Sequence, residues 1–411
     1  MGKVVIAVVQ QTMRVHESPD AYKADVRRFM RQVKSKHADI AVFPELSGLM
    51  LAYPLISGVK RGLLRRAARA GRRRASPLAK VLGRMAGTTA GALGDGMRGS
   101  LTRLLRKRHG ELFDSYIEFF SDVAAEYNMY VVGGSVYLYD EDLDEVRNVC
   151  YVFDRHGGIV GNQEKLVLTR QDEELCSPGD RVAVLPTELG ELGVIIGSDV
   201  LYPEPARALA VQGADLLIAP AACSGPVLHR QVRRAFHARV QENQLYGAIS
   251  FLVGPNNLGQ GQYAGRSAVL APIELTARYT GVLLEVGAAS VESFVVSDCD
   301  LDALQGLWET ADPPLRNRIP LACGPVLSGF YRGGGSVSER FVEPEGAPEE
   351  ALPERPAEAI VSDEPVEAIL EEEEELATRI SVSLADSEVP AEESQDTEEE
   401  WPFESTWEES Q

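Results

Sequence analysis

Short apolar runs alternate with amphipathic stretches from the first residues to about position 300, and that alternation limits the folds open to the chain. Apolar runs flanked by turn residues read as strands at 3–10, 39–43, 129–136, 148–153, 158–164, 182–185, 193–196, 215–219 and 249–253. Further strands are expected near 267–270, 281–285 and 293–296. Between them, 20–36, 111–127, 204–212 and 227–246 place apolar residues at helical spacing, and Pro19-Asp20 and Pro203-Glu204 mark two helix starts. Strands separated by amphipathic helices demand a sheet with helices on its faces, an α/β layered domain.

The 411 residues are enough for one large domain with a substantial core. No apolar run approaches the roughly 18 residues of a membrane span. The opening Met-Gly-Lys-Val-Val-Ile-Ala-Val-Val-Gln10 becomes a strand at once and is read as structure, not as a signal peptide. Cys150, Cys176, Cys223, Cys299 and Cys323 are scattered without metal-ligand or disulfide-like spacing. A cytoplasmic protein without a metal is the expectation.

Charge is distributed unevenly. The net charge is −21, yet from residue 341 onward 25 acidic residues face only Arg355 and Arg379. The tail therefore carries −23, and the first 340 residues sum to about +2. Within those, 57–110 holds fifteen Lys and Arg against the single acid Asp95. Leu78, Val81, Leu82 and Met85 follow helical spacing, and Leu101, Leu104 and Leu105 begin the same pattern, so this basic insertion reads as short amphipathic helices. It suits a solvated hairpin packed on the domain, an anionic membrane surface, or the chain's own tail. Nucleic acid is the weaker partner, because the segment lacks aromatics for stacking on bases. The tail, 341–411, is rich in Glu, Pro, Ala and Ser and is expected to be disordered. Trp401, Phe403 and Trp407 stand at its end as a docking motif or a merely solvated terminus.

Six segments bear on chemistry. Ala41-Val-Phe-Pro-Glu-Leu46 puts the ionisable Glu45 directly after a buried strand, which is costly without a partner or a task. Gly158-Ile-Val-Gly-Asn-Gln-Glu-Lys-Leu166 brings Lys165 to the end of a strand-like run. Asp172-Glu-Glu-Leu-Cys-Ser-Pro-Gly-Asp180 is acid-rich. Leu192-Gly-Val-Ile-Ile-Gly-Ser-Asp199 is a buried strand entering a sharp turn. Ala238-Arg-Val-Gln-Glu-Asn-Gln244 and Gly265-Arg-Ser-Ala-Val-Leu-Ala-Pro272 complete the set.

In this order the six segments resemble the nitrilase (carbon–nitrogen hydrolase) superfamily over about residues 3–300, the insertion excepted. The resemblance implies a four-layer α-β-β-α sandwich formed by 1–56 and 111–325, without an organic cofactor, in a homodimer or larger assembly. It implies Glu45 as general base, Lys165 as the cation for developing negative charge, and Glu173 or Glu174 as a supporting carboxylate. The family's nucleophilic cysteine would fall at Gly197, which has no side chain to form a thioester.

Three routes would keep catalysis alive: Ser198 as nucleophile, Cys223 as a relocated thiolate, or water activated by Glu45. Without them, Glu45 and Lys165 form an ion pair kept for structure. The leading expectation is an amidase-type family protein with non-standard or lost catalysis, binding a small amide- or carboxylate-bearing molecule or acting in regulation. The alternatives are an active amide hydrolase using Ser198 or Cys223, and a membrane-surface or scaffold protein working through 57–110.

Overall fold

The computed structural model describes residues 2–14, 16–52, 102–256, 261–312 and 316. Residues 57–101 of the basic insertion, Cys323 and the acidic tail lie outside the described residues. In chain order the elements begin with β1 (Lys3–Thr12), α1 (Pro19–Lys34) and β2 (Ile40–Val42). There follow α2 (His109–Tyr127), β3 (Tyr130–Asp140), β4 (Glu145–Phe153), β5 (Ile159–Glu164) and α3 (Arg170–Glu173). The second half holds β6 (Leu185–Thr187), β7 (Gly190–Val194), α4 (Pro203–Val211), β8 (Leu216–Ala222), α5 (Pro226–Asn243) and β9 (Tyr246–Pro255). Last come β10 (Gln262–Tyr263), β11 (Ala268–Leu270), β12 (Val282–Glu285), β13 (Ser293–Asp300) and α6 (Leu301–Thr310).

Two sheets result. One runs β5-β4-β3-β2-β1, with β13 antiparallel on β1. The other runs β6-β7-β8-β9, extended by β11 and β12, with β10 also on β9. They meet where Gln11 and Thr12 of β1 pair in parallel with Leu252 and Val253 of β9.

Three apolar cores account for the layering. Ala7 and Val9 of β1 point to α1 and α2, among Tyr22, Phe29, Phe119 and Phe120. Val4, Ile6 and Val8 point the other way, against Val194, Ile196, Ile218 and Ala248 of the second sheet. The period of two along β1 thus buries both of its faces in different cores. On the far side, Ile195, Leu217 and Ile249 meet Leu209 of α4 and Phe236 and Val240 of α5. Helices, sheet, sheet, helices: the α-β-β-α sandwich. Each fully buried side chain of this kind stabilises the fold by roughly 1.5–3 kcal/mol.

Polar staples cross the joint between the sheets. Gln10, fully buried, donates through Nε2 to the carbonyls of Ala288 and Val291, both at 2.8 Å, and accepts from the Ser267 N–H at 2.8 Å. Ser250 Oγ donates to the Val9 carbonyl at 2.5 Å.

Several boundaries differ from the expectation. The helix expected over 227–246 ends at Asn243, because Gln244 turns left-handed (φ 49°) and Tyr246 already begins β9. The run at 182–185 is strand only from Leu185, which opens a hairpin with β7. Of the basic segment, residues 102–107 are helical; Leu105 is buried and Leu104 packs on the first core. Arg106 donates to the Asp144 carbonyl at 3.2 Å and lies over the Tyr139 ring, fixing this end to the β3–β4 hairpin. Those two leucines are therefore not part of a free apolar face.

Candidate functional site

The site gathers where strand ends turn. Past β2 the chain bends through Phe43 and Pro44 to Glu45, and the bend is held by the Leu46 N–H on Ser135 Oγ (3.1 Å) and by Ser47 Oγ on the Pro44 carbonyl (2.5 Å). β3 can approach this bend because Gly134 sits there at φ 68°, where a Cβ would meet the Pro44 oxygen at 2.1 Å. Lys165 follows β5 and is anchored by its N–H on the Asn148 carbonyl at 2.8 Å.

Glu45 and Lys165, 120 residues apart in sequence, are in contact. Lys165 Nζ donates to Glu45 Oε1 at 2.8 Å and to Asp172 Oδ2 at 2.7 Å. Lys165 is only 3 % exposed and Glu45 2 %. Around them Asn148 Nδ2 donates to Glu45 Oε1 (3.0 Å), and the Ala222 N–H donates to Glu45 Oε2 (2.8 Å). Tyr137 donates to Asp172 Oδ1 (2.9 Å), while Thr169 donates to Asp172 Oδ2 through its N–H (3.0 Å) and its hydroxyl (2.8 Å).

One ammonium between two carboxylates leaves an uncompensated negative charge if both are ionised, and burial makes that costly. Burial raises the Glu45 pKa, opposed by Lys165 but reinforced by the negative charge of Asp172. Burial also works against an ionised Asp172, but Lys165 and the Thr169 donors outweigh it and hold that carboxyl below its ordinary value. Lys165 is disfavoured as an ion by burial, yet its two carboxylate partners keep it protonated far above the usual lysine range. Glu45 is thus the member that takes up or releases a proton.

The supporting carboxylate differs from the expectation. Glu173 and Glu174 are both exposed, and Asp172 reaches Lys165 instead. The cause is local: α3 is a single turn with Thr169 as N-cap, whose hydroxyl accepts from the Asp172 N–H (3.3 Å) while the Asp172 carboxylate accepts from the Thr169 N–H. That capping box turns Asp172 inward and the next two acids outward. The Thr169-x-x-Asp172 spacing was the available signal.

Gly197 lies against Glu45. Its φ is 53°, and a Cβ built there would stand 2.4 Å from Glu45 Oε2. The next two residues tie this turn to the stretch after Lys165. Ser198 Oγ donates to the Val167 carbonyl at 2.5 Å. Asp199 accepts from Leu166 and Val167 N–H groups (3.0 and 2.7 Å) and from the Ile196 N–H (2.9 Å). Burial lifts the Asp199 pKa to about 6 against those three donors. Cys223 directly follows the Ala222 whose N–H holds Glu45; it is 1 % exposed, and burial, then the Glu45 charge, pushes its thiol far above the ordinary range. Asp172, Asn148 and Asp199 were not singled out in the sequence. Among the described residues no group of His, Cys, Asp and Glu is arranged to hold a metal, and no helix is long and apolar enough to cross a membrane.

The family model for carbon-nitrogen hydrolases matches residues 5–274. The chain belongs to the carbon-nitrogen hydrolase family. Among family members it is 33 % identical over 206 residues to the probable hydrolase YhcX of Bacillus subtilis, covering 48 % of this chain and 39 % of that protein. It thus spans about two-fifths of the Bacillus protein's length. It is 31 % identical over 215 residues to the omega-amidase NIT2 of Bos taurus, covering 49 % and 69 %. Solved structures share the fold: the carbon-nitrogen hydrolase of Helicobacter pylori G27, at 19 % identity, superposes with a TM-score of 0.56 over 79 % of this chain and 98 % of that one. Nit3 of Saccharomyces cerevisiae, a nitrilase superfamily member, gives 0.53 over 75 % and 94 % at the same identity. The carbon-nitrogen hydrolase fold here is therefore nitrilase-like, in agreement with the three cores.

Proposed function

We propose that this carbon-nitrogen hydrolase family member is of amidase type, has kept the site but lost the covalent step, and binds a small molecule in a binding or regulatory role. The observation that carries this reading is the contact between Gly197 and Glu45. The family's cysteine would project from position 197, and the Glu45 carboxylate occupies the space its Cβ would need. Acyl transfer through a covalent intermediate requires a nucleophile beside a base. The neighbouring candidates are otherwise engaged: the Ser198 hydroxyl donates to a backbone carbonyl, and Cys223 is a buried, neutral thiol. What remains is a proton-exchanging carboxyl, an ammonium and an amide side chain, a set that orients a carbonyl compound without cleaving it. The omega-amidase name of the bovine relative is what brings amides forward as ligands.

The test is ammonia release from a panel of small amides, ureas and nitriles by the wild type, Gly197→Cys and Glu45→Gln. The wild type should release none. Ammonia from the wild type that Glu45→Gln abolishes would overturn the reading and direct attention to Ser198 or Cys223. Gly197→Cys must hold a side chain at φ 53° against Glu45, so it should lose about 1–3 kcal/mol of stability and regain activity only if Glu45 swings aside.

A further inference from the structure

Acids of the first helical layer gather on one face. On α2, Asp114, Glu118 and Asp122 are exposed and stand four residues apart, neighbours on the helix surface. Like charges at that spacing repel, and among the described residues none of the three has a cationic partner. Beside the start of α2, the β3–β4 hairpin turns through Asp140, Glu141, Asp142, Asp144 and Glu145, none of them buried. His109 joins the two elements: its ring lies edge-on to Tyr139, and its Nε2 is 2.8 Å from Glu141 Oε1. Two large apolar side chains are exposed here as well, Phe113 one turn into α2 and Leu143 at the hairpin tip. The face is both acidic and apolar.

One segment of the chain has the opposite character. Residues 57–101 carry eleven Lys and Arg against Asp95, with Leu78, Val81, Leu82 and Met85 at helical spacing. The end of the insertion that is described lies on this face. Leu105 is buried and Leu104 packs on the first core. Arg106 Nη2 is 3.3 Å from Asp144 Oδ1, and Arg108 Nη1 donates to Glu111 Oε2 at 2.5 Å. The last basic residues of the insertion therefore already pair with acids of α2 and the hairpin. We infer that the outer face of α2 and the β3–β4 hairpin are the docking surface of the chain's own basic insertion, residues 57–101. Its lysines and arginines neutralise Asp114, Glu118, Asp122 and the hairpin acids, and its apolar residues cover Phe113 and Leu143. Tethering favours this partner, because a segment joined to the surface it fits acts at a high effective concentration. Pairs between exposed charges are screened by salt, so the docked state belongs to low ionic strength.

The experiment treats the full chain with a carbodiimide, which joins a lysine amine to a carboxylate without a spacer, and reads the links by mass spectrometry. Lys60 and Lys80 should link to Asp114, Glu118, Asp122 or the acids of 140–145. The yield should fall at least about tenfold between about 20 mM and about 1 M salt, where the Debye length is only about 3 Å. Trypsin gives a second readout through cleavage after the arginines of 57–101. Asp114→Asn/Glu118→Gln/Asp122→Asn should speed that cleavage about tenfold, because proteolysis follows the population of the open form. Asp298→Asn/Glu309→Gln/Asp312→Asn removes the same charge from exposed acids elsewhere and should leave the rate unchanged. All six positions are exposed, so both variants should keep a native circular dichroism spectrum. If the α2 variant misfolds, the wild-type cross-links decide alone. Links from Lys60 and Lys80 only to glutamates of 341–411 would assign the acidic tail as partner and overturn the inference. Protection from trypsin that appears only with phosphatidylserine vesicles would assign a membrane and do the same. So would the same cleavage rate in both variants, or an absence of links to α2 and the hairpin.

Discussion

At the scale of single residues, the neighbours of Gly197 are committed to structure. Ser198 and Asp199 join the Gly197 turn to the backbone after Lys165 through three hydrogen bonds, two of them to Val167 N–H and carbonyl. Asp199 therefore positions Lys165 against Glu45, and its titration should be visible in stability. Its carboxyl is raised in the folded protein from 3.8 to about 6. A raised folded pKa means that the unfolded chain releases the proton first. The stabilisation is complete below the unfolded value and is lost as pH climbs through the folded one, by about 2–3 kcal/mol in all. Glu45 acts with the same sign, whereas Asp172, lowered in the fold, loses its contribution as pH falls. The comparison of wild type with Asp199→Asn removes both. Denaturant titrations should give a larger penalty for Asp199→Asn near about pH 4 than near about pH 7, by about 2–3 kcal/mol; a penalty independent of pH would show Asp199 ionised throughout.

At the scale of elements, α3 shows how a four-residue turn selects one acid from three. Thr169→Val removes the N-cap oxygen and one of the donors on Asp172, and should cost about 1–2 kcal/mol by denaturant unfolding, with Thr169→Ser restoring most of it. A valine variant as stable as wild type would mean that Lys165 alone orders Asp172. The same turn marks the boundary of what a reading of the sequence reaches. The long periodic elements were legible: the runs at 3–10 and 111–127 sit inside β1 and α2, because period two and helical spacing are repeated often enough there to be distinctive. Glu45 was legible too, since a charge at the end of a buried strand stands out against its apolar neighbours, whereas Lys165, after the polar and half-exposed β5, was legible only through the family resemblance. Asp172 was not, because three consecutive acids give no periodicity to choose among them, and only the cap at Thr169 does. Asn148 was hidden for another reason: it lies within a strand whose alternation gives no sign that one position faces a charge cluster. α6 went unread although Leu301, Leu304 and Leu307 repeat at helical spacing behind the Asp300 N-cap, and the two-residue β10 is too short to carry a pattern.

At the scale of the whole molecule, the two sheets share a middle core and are hydrogen-bonded to each other through β1, whose last residues pair with β9. Apolar packing alone would let such layers slide, since dispersion and burial carry little direction. Gln10 supplies direction at this joint. One side chain satisfies two carbonyls before β13 and one N–H next to β11, all at 2.8 Å, while its own strand continues toward the second sheet. Gln10→Leu keeps the volume, leaves the buried Ser267 N–H without a partner and frees two part-buried carbonyls that water can reach. The orphaned buried donor costs about 1–3 kcal/mol and the two lost carbonyl bonds up to about 1 kcal/mol each, so the variant should lose roughly 2–4 kcal/mol in total, more than a large-to-small change at a single core position such as Ile6→Val at about 0.5–1.5 kcal/mol. Equilibrium urea unfolding of both variants gives the comparison. If the sheets are locked by this staple, Gln10→Leu should also broaden the transition, because the second sheet can then loosen before the first. A sharp transition with a loss no greater than that of Ile6→Val would show that the middle core alone sets the register of the two sheets.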